Sequence, residues 1–401
     1  MTKTPELLAP AGDMNKLRTA LRFGADAVYA AADSFGLRAY AGNFTFDGLE
    51  SAAALLHAAG KKLYVTVNIY ADSDDIKRLP AFAERLAETG ADGALVSDLG
   101  VFSVMRARAP ALPLHVSTQA NVTNAEAAKV WADLGASRIV LARETRLDEI
   151  AEIKKAAGVE IEAFVHGAMC VAYSGRCLLS AYYTGRSGNR GECAQSCRWE
   201  YGLTELSRGD ELRAEEDGRG TYILSSKDLR MIDRLKELTD AGVDSFKIEG
   251  RMKSEYYVAG IVNAYRRAID DMVAGKSFDP ALLAETEKVS HREYTTGFYY
   301  GGAVAETGAR KPETDYDFVA VVTDAGDGYA DVEMRNRFAV GDVLEALSPS
   351  LPTDAHFTVT DITGADGAVA VADKVQAKLR LSCPLQPGRS DILRRKRAPR
   401  G

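Results

Sequence analysis

Short apolar segments alternate with amphipathic segments over about the first 250 residues of the chain. Each apolar segment has the length of a buried strand and ends in a small or polar residue, and apolar residues then recur at helical spacing. The predicted strands are Leu7–Ala11, Ala27–Ala31, Lys62–Asn68, Gly93–Asp98, Leu114–Gln119, Arg138–Glu144, Ile161–Gly167 and Ser245–Gly250. The helices predicted between them include Asn15–Phe23, Asp74–Thr89, Asn124–Leu134, Leu147–Ala157 and Lys227–Ala241.

Regular alternation of strands and helices predicts a parallel sheet. Glycine-led turns such as Gly24-Ala25-Asp26 and Gly90-Ala91-Asp92 stand between a helix and the next strand, where helices commonly end. Eight such units in about 250 residues favour a closed, TIM-like (β/α)₈ barrel over an open doubly wound sheet. No Gly-x-Gly-x-x-Gly follows the first strand, so the usual dinucleotide-binding fingerprint is missing.

Two further helices are predicted at Ser254–Ala274 and Pro280–Val289, and after them the pattern changes to short β-type runs separated by turns. We predict a barrel domain over residues 1–315, with a cysteine-rich insertion at 168–222 after the seventh strand. A small β-barrel domain over residues 316–401 follows. The chain ends in a basic run that contains Arg394, Arg395, Lys396, Arg397 and Arg400. Most such runs are solvated tails, and contact with a phosphate backbone is the alternative.

Four of the five cysteines of the chain lie in the predicted insertion, at Cys170, Cys177, Cys193 and Cys197. Such thiols can bind an iron–sulfur cluster or zinc, or pair as disulfides. Only Cys193-x₃-Cys197 has the close spacing of a zinc site, whereas iron–sulfur clusters accept irregular spacings. Cys-x-x-Cys, the usual redox pair, is absent. The spacing therefore leaves the cluster and zinc open as alternatives.

Polar residues stand at the ends of the predicted strands, where the active sites of (β/α)₈ barrels are built. We predict His166, Lys247 and Glu249 as catalytic residues. The predicted substrate-binding residues are Arg143, Arg251, Asn68 and Gln119 at strand ends, and Arg176 among the cysteines of the insertion. Among these, Arg143 and Arg251 are the candidates for binding a carboxylate ligand, because a guanidinium matches a carboxylate in shape and charge. An internal layer of ion pairs is the alternative interpretation of Lys247, Glu249 and Arg251.

The composition argues against two classes of protein, those that coat nucleic acid and those that span a membrane. The formal net charge of −7 and the pI of about 5.5 argue against non-specific coating of nucleic acid. No signal peptide or membrane-length apolar stretch is visible, so we expect a cytoplasmic protein without membrane contact. Structural disulfides are uncommon in that compartment, which favours metal binding or redox chemistry by the clustered thiols.

Several motifs resemble the collagenase-like peptidase family of uncertain catalytic type. They are Leu7-Leu8-Ala9-Pro10-Ala11-Gly12, Gly24-Ala25-Asp26-Ala27-Val28-Tyr29, His166-Gly167-Ala168-Met169-Cys170, Tyr173-Ser174-Gly175-Arg176-Cys177, Cys197-Arg198-Trp199-Glu200-Tyr201, Ser226-Lys227-Asp228-Leu229 and Lys247-Ile248-Glu249-Gly250-Arg251. The resemblance covers nearly the whole chain, including Gly341-Asp342 and Leu393-Arg394-Arg395 in the C-terminal domain.

The resemblance implies a function in RNA modification. Members of the family form 5-hydroxyuridine at the wobble position of tRNA with prephenate as co-substrate, and related members hydroxylate a ribosomal RNA cytidine or ubiquinone. Several carry a [4Fe–4S] cluster, whose ligands here would be Cys170, Cys177, Cys193 and Cys197. The cysteine pattern of the ubiquinone branch differs, so the Cys193-x₃-Cys197 ending favours the tRNA branch.

The implied partners are therefore tRNA, through its anticodon region, and a small dicarboxylate such as prephenate. Two other classes of function remain as alternatives. The chain could be a peptidase, as the old family label says, although it contains neither His-Glu-x-x-His nor Gly-x-Ser-x-Gly. It could also be a non-catalytic RNA-binding factor, whose loss would leave nucleoside composition unchanged.

Overall fold

The computed structural model of the chain describes residues 4–37, 42–170, 172–199, 215–217, 220–222, 226–301 and 314–397. Contacts divide the chain into two compact units. The first consists of Met1–Leu17, Asp26–Met252 and His291–Pro312, and the second of Arg18–Ala25, Lys253–Ser290 and Glu313–Gly401. The boundary predicted from the sequence lies at residue 315, whereas contacts also group residues 253–290 with the C-terminal sheet.

The first unit is built on a closed parallel barrel. The strands of this unit are β1 Glu6–Pro10, β2 Ala27–Ala31, β3 Lys62–Val67, β4 Gly93–Val96, β5 Leu114–Val116, β6 Arg138–Val140, β7 Glu160–Ala168, β8 Glu215–Asp217, β9 Gly220–Tyr222, β10 Asp228–Arg230, β11 Ser245–Ile248 and β12 Tyr294–Thr295, and β8 pairs with β9 in a separate hairpin. Strands β1 to β7 pair in order, and β11 closes the ring because it pairs in parallel with both β7 and β1. The predicted TIM-like (β/α)₈ barrel is therefore confirmed.

Helices follow most of the barrel strands. The helices of the described residues are α1 Met14–Arg22, α2 Phe46–Ala58, α3 Ser73–Glu88, α4 Leu99–Arg108, α5 Ala125–Asp133, α6 Leu147–Ala157, α7 Leu179–Thr184, α8 Leu235–Asp240, α9 Glu255–Val273 and α10 Ala281–Glu287, of which α9 and α10 belong to the second unit. Helix α3 begins with a capping box, in which Asp72 accepts the backbone N–H of Asp75 and the Asp75 carboxylate accepts the backbone N–H of Asp72. Among the residues described, no helix combines the length and apolarity that a bilayer crossing requires.

The predicted helix Lys227–Ala241 is only partly correct. Asp228–Arg230 forms β10, which runs antiparallel to β7 and also pairs with β12, and α8 begins only at Leu235. The spacing of apolar residues predicted one continuous helix because Leu229, Ile232, Leu235 and Leu238, all of them buried, recur every three residues. This spacing is that of a helix, but the first two residues belong to the strand and to a 3₁₀ turn.

The second unit contains an antiparallel sheet, so the predicted C-terminal β-domain is confirmed. Its strands are β13 Tyr316–Gly326, β14 Tyr329–Met334, β15 Phe338–Ala339, β16 Val343–Leu347, β17 His356–Thr358, β18 Ile362–Gly364, β19 Gly367–Ala368, β20 Val371–Ala372, β21 Lys378–Ser382 and β22 Ile392–Lys396. Eight strands join in the order β17-β16-β22-β13-β14-β21-β18-β19, and β15 pairs with β20. The core includes Phe338, Leu344 and the fifth cysteine, Cys383.

The basic run near the C-terminus is a strand of this sheet, so the expectation of a solvated tail is wrong for residues 392–396. Strand β22 lies between β16 and β13. Arg394 is fully buried and donates to Glu285 at 2.6 Å and to Glu345. Its neighbours also pair with carboxylates of the same unit: Arg395 contacts Asp317 and Asp342, and Arg397 contacts Asp317. Arg400 lies outside the described residues.

Replacement of Arg394 should destabilise the protein strongly. The Arg394→Met variant leaves the carboxylates of Glu285 and Glu345 without the guanidinium but still beside the ammonium of Lys288, so it should cost roughly 3 kcal/mol, the low end for a broken buried ion pair. The matched control Arg397→Met removes a half-exposed arginine and should cost less than about 1 kcal/mol. Urea unfolding of both variants measures the difference, and equal losses would contradict the burial of Arg394.

Candidate functional site

A cavity of about 160 Å³ lies where the barrel strands end. Its lining includes six of the predicted polar residues and the four clustered cysteines: Asn68, Gln119, Arg143, Lys247, Glu249, Arg251, Cys170, Cys177, Cys193 and Cys197. The cysteines come from the insertion and the polar residues from the ends of β3, β5, β6 and β11. The fold thus brings residues from distant parts of the sequence to one cavity.

Beneath the cavity, a buried carboxylate balances two cations. Glu162 has no exposed surface and accepts hydrogen bonds from Lys247 at 2.7 Å and from Arg138 at 3.0 Å. Burial alone would raise the pKa of Glu162, but the charges of Lys247 and Arg138 outweigh it and lower that pKa. The Lys247 ammonium also lies 4.6 Å from the centre of the Tyr29 ring. Lys247 therefore belongs both to an internal ion-pair layer and to the cavity lining.

Two arginines line the cavity in different settings. Arg143 lies 4.0 Å from the centre of the Phe164 ring and 3.4 Å from the Glu249 carboxylate. A guanidinium carries five N–H donors, so Arg143 retains donors beyond this contact. Arg251 is almost fully buried and donates to Asn43 at 2.9 Å and to Thr66 at 3.3 Å. The two guanidinium groups can therefore present positive charge to a ligand from fixed positions.

Two of the amide side chains that line the cavity, Asn68 and Gln119, differ in the hydrogen bonds that they already make. Asn68 accepts from the backbone of Leu37 at 3.2 Å and donates to Ser117 at 3.1 Å, so both ends of its amide are used. The Oε1 atom of Gln119 is buried and has no hydrogen-bond partner among the residues described. A buried acceptor without a donor is costly, and a ligand with an N–H or O–H group could satisfy it.

The structure places two predicted site residues away from the cavity lining. His166 is 1% exposed, and its ring lies 5.4 Å from that of Tyr294. The pairing of β7 with β11 shifts register between Lys247 and Ile248, opposite Phe164 and His166. Such a bulge re-aims a side chain, and alternation along the strand cannot predict it. Arg176 is exposed on the insertion.

The insertion is anchored to the barrel by polar contacts that the sequence analysis did not predict. The Glu144 carboxylate accepts the backbone N–H of Ser174 at 3.1 Å and its hydroxyl at 3.2 Å. Further along, Arg190 donates to the buried Asp75 at 2.8 Å, beside the start of α3. The acidic first turn of α3 was the available signal, since only a short loop separates it from the end of β3. These contacts fix the insertion on two sides of the cavity.

All five cysteines are free thiols, and four of them could hold a metal group. Cys193 accepts a hydrogen bond from the backbone N–H of Gln195 at 3.4 Å. Within the described ranges, no three Cys, His, Asp or Glu side chains converge closely enough to surround one metal ion. At a mononuclear zinc every sulfur lies about 2.3 Å from the metal, whereas a four-iron cluster takes its thiolates at separate irons and spreads them wider.

The barrel mouth is lined by four cysteines and three cationic side chains, as expected of a TIM-barrel enzyme that uses cysteine side chains at its active site. The model for Peptidase family U32 matches residues 12–308, and that for the C-terminal domain of the same family matches residues 314–394. The chain therefore belongs to peptidase family U32, which confirms the family predicted from the motifs.

Named relatives span nearly the whole chain. It is 39% identical to tRNA hydroxylation protein P1 of Bacillus subtilis, over 92% of this chain and 89% of the relative. It is 38% identical to tRNA hydroxylation protein P of Escherichia coli, over 90% of each. The 23S rRNA 5-hydroxycytidine C2501 synthase of Escherichia coli is 36% identical, over 85% of this chain and 52% of that protein.

Because Gly175 lies in close contact with the barrel, replacing it with alanine should destabilise the protein more than replacing Gly185. A Cβ atom at Gly175 would lie 2.2 Å from the Gln119 carbonyl oxygen and 2.6 Å from the Tyr70 hydroxyl, whereas one at Gly185 would meet nothing within 4 Å. Both glycines have positive φ, of 74° and 70°. Each change to alanine should therefore cost roughly 1–2 kcal/mol in backbone strain. Gly175→Ala should cost roughly 1–3 kcal/mol more, through the clash.

Denaturant unfolding of Gly175→Ala and Gly185→Ala measures this difference. The rate at which a thiol reagent modifies the four insertion cysteines reports whether the insertion has moved. We expect faster modification only in Gly175→Ala. Equal stability and equal rates in the two variants would show that the Tyr173–Arg176 turn does not contact the barrel at Gln119.

Proposed function

We propose that this protein hydroxylates RNA, with the wobble uridine of tRNA as substrate and 5-hydroxyuridine as product. The observation that carries the proposal is the single cavity at the barrel mouth, which collects four cysteines and several cationic and amide side chains. The names of the relatives agree with this chemistry, since two act in tRNA hydroxylation and a third forms 5-hydroxycytidine. A base-modifying enzyme must take its base out of the stack, and a concave mouth is suited to receive it.

Cys170, Cys177, Cys193 and Cys197 would hold a [4Fe–4S] cluster at this mouth. They line one cavity as free thiols, and four cysteine thiolates at irregular spacing are the ligand set that such a cluster takes. The N–H of Gln195 aimed at Cys193 is the kind of contact that tunes a cluster's potential. The bound cluster would supply one-electron chemistry to the site.

The other residues of the cavity bind and orient the reactants. Arg143 and Arg251 would bind the carboxylates of a dicarboxylate co-substrate such as prephenate, because both line the cavity with a fixed positive charge. Gln119 would bind the base, since the N3–H of uracil can donate to its buried Oε1. Glu249 is the lining carboxylate that would accept the proton lost from the base, and Lys247 would hold the local charge balance.

Peptidase activity is the second candidate, because the family carries that name. The cavity serines give it little support. Ser174 is buried and its hydroxyl donates to Glu144, while Ser117 accepts from Asn68. A serine nucleophile needs a base that removes its proton and an accessible oxygen. Neither serine has both among the described residues. A role for His166 in catalysis stays a prediction from the sequence.

Loss of the protein should remove 5-hydroxyuridine derivatives from tRNA. A deletion strain that also lacks any second homologous gene should show less than about a tenth of the wild-type level by mass spectrometry of digested tRNA. The wild-type gene should restore the modification, and the Cys193→Ser gene should not. Unchanged nucleosides in the deletion strain would refute the tRNA proposal, and cleavage of a protein substrate without RNA would then favour the peptidase.

Anaerobically purified protein should contain about four irons and four acid-labile sulfides per chain. Cys193→Ser should lose most of both, since it removes a proposed ligand. Cys383→Ser is the matched control, because this cysteine is buried in the core of the second unit. It should keep the full iron content. One zinc and no iron in the wild-type protein would contradict the cluster and make the insertion a structural zinc site.

A further inference from the structure

The cysteine insertion exposes an unusual number of large apolar side chains. They are Tyr173 at 61% exposed, Leu178 at 72%, Tyr182 at 83%, Tyr183 at 48% and Trp199 at 41%. Single exposed apolar residues are ordinary on a protein surface, but several within one short segment usually mark a binding surface. Four of these five side chains are aromatic, and aromatic rings favour a partner with planar groups that can stack on them.

Three of the rings form a continuous group, which we call the aromatic shelf: Tyr182, Tyr183 and Trp199. The rings of Tyr182 and Tyr183 meet edge to face, with centres 5.2 Å apart and planes at 85°. The rings of Tyr183 and Trp199 are tilted at 49° with centres 6.5 Å apart. In an edge-to-face pair the edge of one ring covers part of one face of the other, and the remaining faces can receive another planar group.

The shelf is joined to the candidate site at both ends. Helix α7, which carries Tyr182 and Tyr183, begins two residues after Cys177, and Trp199 follows Cys197 by two residues. Both cysteines line the cavity. Consecutive Cα atoms are about 3.8 Å apart, so these connections keep the shelf near the mouth of the cavity. Tyr173 is both exposed and part of the lining.

The chemistry of this surface favours single-stranded RNA as its partner. Unpaired bases stack on aromatic side chains and on guanidinium planes, and such stacking needs no particular base. Arg176 is exposed between Tyr173 and Leu178, so a guanidinium stands among the exposed residues. A base drawn into the cavity leaves its neighbours in the strand partly unstacked, and these neighbours need new planar partners.

We propose that the aromatic shelf binds the unpaired nucleotides that flank the target base, so that it holds the RNA loop while the base lies in the cavity. This inference rests on the proposed RNA substrate and adds a binding surface outside the cavity. Tyr182 is the main contact, because its ring is the most exposed of the three. Tyr183 and Trp199 support it and extend the surface toward the cysteines.

Binding of two RNAs to the purified holoprotein tests the shelf. The probes are a synthetic anticodon stem-loop with uridine at the wobble position and a fully paired RNA duplex of the same length. Tyr182→Ala should weaken stem-loop binding about 5-fold or more, as expected for the loss of one stacked base, and leave duplex binding unchanged. Tyr182→Phe should bind like the wild type, because it keeps the ring face.

Tyr300→Ala is the matched control, since Tyr300 is an exposed tyrosine outside the insertion. It should not change stem-loop binding. Three results would overturn the proposal: stem-loop binding by Tyr182→Ala equal to the wild type, equal weakening of stem-loop and duplex binding, or a loss of iron or thermal stability in Tyr182→Ala. The last result would mean that the ring packs within the chain.

The shelf and the proposed reaction can fail separately. Tyr182→Ala with unchanged binding, in a protein whose wild-type gene restores 5-hydroxyuridine, would refute the shelf alone. Selective loss of stem-loop binding in a protein whose deletion leaves tRNA nucleosides unchanged would support the shelf and refute the hydroxylation.

Discussion

Glu162 is a carboxylate without exposed surface, and the closure of the barrel depends on how its charge is balanced. It lies on β7 and binds Lys247 of β11 and Arg138 of β6, and Arg138 also reaches Glu6 of β1 at 2.6 Å. A buried ion of this kind costs several kcal/mol unless its partners are well placed. The strands that complete the ring are thus held in one relative position, and the Lys247 side chain above them is held too.

Carboxylates also hold the cysteine-rich insertion in place. A loop of this length could adopt many conformations, and each ordered residue costs conformational entropy. Carboxylates at fixed points of the barrel, Glu144 after β6 and Asp75 in α3, bind Ser174 and Arg190 and so limit those conformations. The cysteines can then line one cavity without a disulfide to hold them.

Sequence patterns predicted the barrel well because its strands are short, apolar and regularly spaced, and the polar residues at their ends converge wherever strands run parallel. The patterns failed where an interaction between distant residues decides the local structure. Asp228–Arg230 forms a strand because it pairs with β7. His166 lies outside the cavity lining, at the point where the pairing of β7 with β11 shifts register. Arg394 lies inside a sheet because Glu285 and Glu345 balance its charge. None of these partners is visible from local spacing.

The arginines of β22 are matched by carboxylates of their own unit, and the whole chain carries a formal net charge of −7 at pH 7. Nucleic acids are drawn from a distance by unbalanced cations, which displace the counterions condensed on the phosphates. The net charge of this protein supplies no such long-range attraction. An RNA would meet this protein by ordinary diffusion and stay only where its shape matches the surface, so most encounters would end quickly and selectivity would arise from dissociation rates.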